Sequence, residues 1–241
     1  MNFRNLKKGH VLAFVAALSV VCALTSCVIK VPKKTKKAKV VENSTYLVEP
    51  FERIEMLGFF DVEYTQGDSI SVRVESSVPI SDKVVVTNDG PTLRLDMNNK
   101  VRLTNLMNGG NHIKFFITSP DLVAISLLGS GEFDARGKLD TDNLQITIAG
   151  SGDIEFDDII CDAVRAEVIG SGDIELKNVE APSAQFRITG SGDIKAHLKD
   201  CGDVKAELTG SGDIKLDGNA KSMKKIKSGA GEISTDKLIV E

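Results

Sequence analysis

An acidic residue recurs about every 20 positions in the second half of this 241-residue chain, each time directly after a glycine. The five residues GSGDI occur four times, and the variants GSGEF and GAGEI lie on either side of them. Regularly spaced carboxylates can bind a metal ion, bind a partner, or accept hydrogen bonds in a turn. We name this set of six residues the acidic column: Glu132, Asp153, Asp173, Asp193, Asp213 and Glu232.

Two interpretations explain the acidic column. Unpaired carboxylates one strand spacing apart, about 4.8 Å, repel by roughly 1 kcal/mol in water, so something must offset the repulsion. Calcium at Asp153, Asp173, Asp193 and Asp213 is one candidate, although the known calcium-binding glycine-aspartate repeats recur about every nine residues. The favoured interpretation is a turn, in which the carboxylates accept backbone N–H groups and the serines form a hydroxyl ladder. Its turn residues are Gly150, Ser151, Gly152, Gly170, Ser171, Gly172, Gly190, Ser191, Gly192, Gly210, Ser211 and Gly212.

Little else in the sequence is arranged for catalysis. His10, His112 and His197 are far apart, and the sequence has neither a nucleophile motif nor a phosphate-binding glycine loop. The acids follow columns along the repeat instead of forming one pair in a groove. We therefore expect no enzyme, no catalytic residue, no metal and no cofactor. The alternative is an envelope polysaccharide lyase or glycosidase built on a β-helix, with its site in loops such as residues 98–111.

The spacing of the glycines predicts the elements that carry the acidic column. Counted from Gly129 to Gly229, the copies are 21, 20, 20, 20 and 19 residues long, and apolar residues alternate at fixed positions within each copy. Each copy therefore holds two short strands, which bury their apolar sides only when the copies stack in register. The sequence predicts an all-β, parallel β-solenoid with about 20 residues and two strands per coil, right-handed by analogy with most parallel crossovers.

The same register places two of the four cysteines. Cys161 and Cys201 fall at the same position of alternate copies, with Ala181 between them. Two rungs separate them by about 9.6 Å, beyond the roughly 7 Å that a disulfide tolerates. We expect two free, buried thiols.

Residues 46–128 lack the repeat but have the composition of strands. No stretch has a convincing helical period. We expect an irregular β-rich part that is continuous with the regular part, residues 129–241. Its β-rich runs, separated by turn residues, are residues 46–56, 60–66, 70–75, 83–87, 92–97 and 112–118.

The first 27 residues have the layout of an export signal. A basic start precedes a short apolar run, and Leu24-Thr25-Ser26-Cys27 closes it. This ending resembles the lipobox of bacterial lipoproteins, which implies cleavage before Cys27 and acylation of that cysteine, with palmitate among the acyl chains. We expect a signal peptide at residues 1–26 and a lipidated Cys27 with a basic linker at residues 27–45. Several acyl chains hold a protein stably to a membrane.

Charge separates the linker from the body. Removing three signal-peptide cations and the six lysines of residues 28–39 leaves 30 − 3 − 6 = 21 basic against 34 acidic residues, a net charge of −13. This acidic balance argues against nucleic acid as a partner. The linker either lies on anionic headgroups or serves only as a spacer.

The repeats and the preceding segment together resemble a known family. The GSGDI run, Phe51-Glu52-Arg53-Ile54, Phe60-Asp61-Val62 and Ile117-Thr118-Ser119-Pro120-Asp121-Leu122 resemble the head GIN domain family of adhesins, over residues 46–241. The resemblance implies an exported β-solenoid, commonly a lipoprotein of Bacteroidetes-type bacteria, without catalytic residues to transfer. We expect a non-enzymatic binding or scaffold protein on the outer membrane, with a glycan or protein ligand. Val28-Ile29-Lys30, directly after Cys27, contains no acid. We therefore expect the protein on the periplasmic side of the outer membrane rather than on the cell surface.

Overall fold

The computed structural model describes residues 42–80, 83–98 and 112–241. Every described residue belongs to one compact unit, residues 39–241. The predicted signal peptide, Cys27, His10, the linker before residue 42 and residues 99–111 lie outside the described residues. Within the described ranges, no helix is long and apolar enough to span a membrane.

Eight strands precede the repeats in the described residues. They alternate buried and outward side chains, as expected for strands with one face on a core. Their bounds are β1 (Glu42–Tyr46), β2 (Arg53–Leu57), β3 (Asp61–Gln66), β4 (Ser71–Ser76), β5 (Val84–Asp89), β6 (Thr92–Met97), β7 (Ile113–Ser119) and β8 (Ala124–Leu127).

The repeats form nine further strands, most of them with an outward acid or glycine at the corner. In the last copies the strand pairing continues through a corner, so β15 and β16 are each 17 residues long. The bounds are β9 (Glu132–Asp140), β10 (Asn143–Gly150), β11 (Asp153–Ile160), β12 (Ala163–Gly170), β13 (Ile174–Glu180), β14 (Ser183–Gly190), β15 (Ile194–Gly210), β16 (Asp213–Gly229) and β17 (Glu232–Val240).

The strands stack as two faces of one coil. Sheet A runs β5, β6, β2, β8, β10, β12, β14 and then the second halves of β15 and β16. Sheet B runs β1, β4, β7, β3, β9, β11, β13, the first halves of β15 and β16, and β17. The predicted parallel β-solenoid, with about six turns of about 20 residues, is confirmed. Its right-handed sense stays a prediction.

The glycine corners keep the copies in register. Gly150 lies opposite Gly170, which lies opposite Gly190, and the same alignment continues through Gly210 to Gly229. Register is thereby fixed for every inward side chain, because a slip by one residue would turn the apolar set outward.

Inward side chains of both sheets form one core that runs the length of the stack. Aromatic rings fill its beginning: Phe60 lies 5.2 Å from Phe115, and Phe133 lies 6.1 Å from Tyr64 and 5.8 Å from Phe156, centroid to centroid. Farther along, isoleucine, valine, leucine and alanine predominate. The N-terminal part is continuous with the repeats, because β8 pairs with β10 and β3 with β9.

The N-terminal part differs from the sequence expectation in its details. Residues 46–56 are not one run: β1 ends at Tyr46 and β2 starts at Arg53. Pro50 in the gap has no N–H to give to a ladder. The strands also start earlier than residue 46, inside the segment assigned to the linker, and β1, β4 and β7 pair antiparallel.

Candidate ligand-binding face

The acidic column lies at the corner where the chain enters sheet B. In four successive rungs, the backbone N–H of one acidic residue donates to the Oδ1 atom of the residue one rung before it. The N···O distances are 3.1 Å from Asp173 to Asp153, 2.8 Å from Asp193 to Asp173, 2.8 Å from Asp213 to Asp193 and 3.0 Å from Glu232 to Asp213. Each of these bonds joins two rungs and gives a carboxylate a donor.

A depression of about 200 Å³ lies beside this column, with Asp153, Asp173 and Asp193 on its wall. Among the described residues, no group of three or more His, Cys, Asp or Glu side chains is arranged to hold a metal ion. The backbone donors support the turn interpretation, and the calcium interpretation stays a prediction that titration must test.

The corner glycines are needed for space. Gly190 has φ +142°, and a Cβ atom there would lie 2.2 Å from the carbonyl oxygen of Gly170. The second glycine of each corner, such as Gly192, is buried. Any side chain at Gly190 would therefore strike the backbone of the neighbouring rung.

The corner serines act through their backbone. Ser171 N donates to Gly150 O at 3.0 Å, and Ser191 N donates to Gly170 O at 2.8 Å. In the continuous stretch 112–241 the hydroxyls of Ser151, Ser171, Ser191 and Ser211 form no hydrogen bond with one another, so the expected hydroxyl ladder is wrong. The hydroxyls are exposed, and water satisfies them at lower cost than a fixed ladder would.

The two cysteines are free and buried, as predicted. Burial raises the pKa of the Cys161 thiol to about 12 and also raises the pKa of Cys201, whose Sγ donates to Val179 O at 3.2 Å. Thiols with such pKa values are poor nucleophiles at neutral pH. Both act as small core residues.

On the outer face of sheet A, charges of opposite sign alternate along the stack. Arg187 lies 2.9 Å from Glu207 on one side and 3.8 Å from Glu167 on the other, while Lys205 lies 2.7 Å from Glu207. Hydrogen bonds from Lys205 and Arg187 lower the pKa of Glu207 to about 2. These side chains are therefore largely paired with one another.

The outer face of sheet B carries a depression of about 500 Å³ across β13, β15, β16 and β17. We call it the lysine groove. Its lining includes Lys177, Lys195, Lys215 and Lys237 from four successive rungs and His197, together with the acids Glu175, Asp217 and Asp236. Leu176, Ala196 and Leu216 contribute to its floor. Cations around a partly apolar floor suit a ligand that carries negative or strongly polar groups on a hydrophobic frame.

Ion pairs fix one end of the lysine groove. Lys177 Nζ lies 3.0 Å from Asp157 Oδ1 and also contacts Glu155, and Arg136 lies 2.8 Å from Glu155. Hydrogen bonding to Lys177 lowers the pKa of Glu155, and the Gly137 N–H followed by Lys177 lowers that of Asp157. At the other end His197 contacts Asp217. In residues 112–241, neither Lys195 nor Lys237 has an ion-pair partner, so both are available to a ligand.

The sequence did not predict the lysine groove. Shifts of strand register lie next to it, between Leu176 and Val179 in β13 and between Leu198 and Cys201 in β15. Such irregularities bend a strand locally. The two copies that meet at the first shift are both 20 residues long, so the spacing of the glycines gave no signal of it.

The fold is a β-solenoid, and its charged outer faces form a long surface on which a partner can bind. The model of the family described as "Putative auto-transporter adhesin, head GIN domain" matches residues 50–178 and 170–241, and the chain belongs to this family. The predicted resemblance is confirmed. The family description makes this an adhesin-type, envelope-associated exported protein. A comparison with curated proteins found no match.

Solved structures share the fold. A "putative adhesin" from Bacteroides fragilis is 23% identical with a TM-score of 0.67, and the match covers 82% of this chain and 98% of that one. A "putative lipid binding protein" from Parabacteroides distasonis is 23% identical, with a TM-score of 0.56 and coverage of 81% and 96%. A "putative adhesin" from the same species is 17% identical, with a TM-score of 0.54 and coverage of 81% and 97%.

Proposed function

We propose that this chain is a lipid-anchored protein of the outer membrane that works by binding and not by catalysis. The lysine groove carries the proposal: four lysines from successive rungs converge on one depression in a body with a net charge of −13. A rigid surface that presents cations at the rung spacing, about 4.8 Å, suits an extended glycan or a protein segment with acidic groups.

Binding is tested with groove variants. Purified residues 28–241 are screened against cell-envelope glycans, host glycans and proteins, and each ligand found is retested on Lys195→Glu/Lys215→Glu. Reversing two exposed cations should weaken binding at least about tenfold. The matched control is Lys138→Glu/Lys199→Glu, which makes the same change of charge elsewhere and should bind normally. Equal loss in both variants would count against the groove.

The same incubation separates binding from the enzymatic alternative. A glycan that is retained by the protein and recovered unchanged supports a binding protein. Release of shorter products would support a polysaccharide lyase or glycosidase instead, and the lysine groove would then have to be examined as an active site.

Anchoring at Cys27 is tested in cells. Radiolabelled palmitate should be incorporated into the unchanged chain, and Cys27→Ser should lose both the label and the membrane association. A labelled Cys27→Ser chain would contradict the assignment. We place the body on the periplasmic side of the outer membrane because the residues after Cys27 are basic. Protease treatment of intact cells should then leave it uncut, whereas digestion would place it on the cell surface.

A further inference from the structure

The second half of β16 differs in charge from the rest of the body, whereas β17, which completes the last rung, carries Glu232 and Asp236 beside Lys237. Between Asp217 and Glu232 the chain has four lysines and no acid. All four are exposed, on or beside the final strand of sheet A. We call this set the terminal lysines: Lys221, Lys224, Lys225 and Lys227.

Two terminal lysines occupy positions that earlier rungs fill with core residues. Lys225 lies opposite Ala206 and Lys227 opposite Leu208, both of which are buried. Lys225 Nζ donates to Ile233 O at 3.4 Å, and within residues 112–241 none of the four has a carboxylate within 4.0 Å. Lysine side chains at these positions cannot join an apolar core, and because no carboxylate neutralises them their charge is available to an external anion.

Apolar side chains are exposed on the same rung. Ile226 is 43% exposed, Ile239 67% and Val240 50%, so this rung holds three of the seven exposed large apolar side chains of the described residues. Exposed apolar groups next to unpaired lysines are typical of surfaces that lie at a membrane interface, where the lysines meet headgroups and the apolar groups enter the acyl boundary.

We infer that the last rung, formed by the end of β16 and by β17, is a docking surface for anionic lipid headgroups. The inference rests on the proposed anchoring, because a lipid on Cys27 keeps the body close to a membrane and raises the effective concentration of headgroups. A soluble polyanion would use the lysines but would leave Ile226 and Ile239 in water. A second copy docking end to end through this rung would bring eight lysines together.

The experiment uses residues 28–241, which lack the predicted acyl chains and contain every described strand. Flotation measures binding to vesicles of phosphatidylcholine with about one third phosphatidylglycerol, and to vesicles of phosphatidylcholine alone. The unchanged protein should bind only the anionic vesicles, and more weakly as salt is raised. Each lysine near the surface contributes roughly a fivefold change in affinity, so Lys224→Gln/Lys227→Gln should reduce binding roughly 30-fold.

Matched variants test whether this surface acts on its own. Lys138→Gln/Lys199→Gln, which lies outside the terminal lysines and the lysine groove, has the same change of charge and should bind vesicles normally, while Ile226→Ser/Ile239→Ser should weaken vesicle binding without changing its salt dependence. Groove ligands should be unaffected by the terminal substitutions, so failure here and failure of the groove are distinguishable. Thermal unfolding checks that each variant is folded.

Several results would overturn the inference. One is absence of vesicle binding at low salt, and another is an equal loss of vesicle binding in Lys138→Gln/Lys199→Gln. Normal vesicle binding by Ile226→Ser/Ile239→Ser, together with full displacement by polyphosphate, would indicate a soluble polyanion. Sedimentation showing self-association that Lys224→Gln/Lys227→Gln abolishes would indicate a second copy.

Discussion

The two parts of the solenoid build one stack by different means. Residues 42–127 combine antiparallel pairs, such as β5 with β6 and β1 with β4, with parallel pairs that join the coil. The repeats use parallel pairing throughout and turn at glycine corners. The first part packs rings against one another, whereas the repeats bury mostly aliphatic side chains.

The two parts therefore fix their fold through different kinds of contact. In the repeats, the backbone of one rung lies directly against the backbone of the next at the glycine corners. Amino-acid substitutions should therefore be tolerated mainly at outward-facing side chains. In the N-terminal part the strands have no common corner, and unlike side chains must fit one another. The predictions below test this contrast.

The largest expected effect is at a repeat corner. Gly190→Ala would place a Cβ 2.2 Å from Gly170 O at a φ of +142°. We expect a loss of about 4 kcal/mol in the free energy of unfolding, from strain and overpacking together. The comparison is Gly90→Ala in the N-terminal part, where φ is +57° and no atom lies within 4 Å, so about 1 kcal/mol is expected. Urea denaturation measures both, and equal losses would remove the contrast.

The junction between the parts should resist conversion to the repeat sequence. Phe133 stands where later copies have isoleucine, and its ring contacts Tyr64 and Phe156. Phe133→Ile should therefore destabilise by about 2 kcal/mol, although it restores the repeat pattern. Ile174→Val, with a cost of about 1 kcal/mol, is the control inside the repeats. A neutral or stabilising Phe133→Ile would mean that the repeat rule extends through the junction.

The contrast also explains what the sequence could predict. Identical residues at a fixed spacing specify the pairing of Gly170 with Gly190 and keep Cys161 apart from Cys201, because each copy repeats the same constraint. The strands of the N-terminal part were found approximately, but their pairing was not, since a strand pattern contains no information about its neighbour. The register shifts next to the lysine groove in sheet B depend on how neighbouring rungs pack. The residue types at each repeat position do not contain that information.

The acidic column tests whether side chains also join the rungs. Asp193 Oδ1 accepts the Asp213 N–H at 2.8 Å. Asp193→Ala should lose about 1.5 kcal/mol because it removes a hydrogen bond to a charged acceptor, and Asp193→Asn, which keeps an acceptor, should lose less. We expect the melting temperature of the unchanged protein to be the same with millimolar calcium and with EDTA. A calcium-dependent rise that Asp193→Asn abolishes would favour the metal interpretation.

The smallest effect is a difference in acid sensitivity between the parts. In the repeats, the pKa of Glu207 is lowered to about 2, so its stabilisation is complete above the unfolded value of 4.5 and is lost as pH falls toward 2. In the N-terminal part, burial raises the pKa of Asp61 above 3.8, so its charged form opposes folding at neutral pH, and acid relieves that penalty.

The two residues should therefore respond oppositely to amide substitution. At neutral pH, Glu207→Gln should destabilise by about 1 kcal/mol or less, because exposed ion pairs contribute little, whereas Asp61→Asn should be neutral or stabilising. Well below pH 2, Glu207→Gln and the unchanged protein should have the same stability, since both then carry an uncharged side chain at that position. Chemical denaturation at several pH values measures the difference in the free energy of unfolding. Changes of the same sign in both variants would show that the two carboxylates affect stability in the same way.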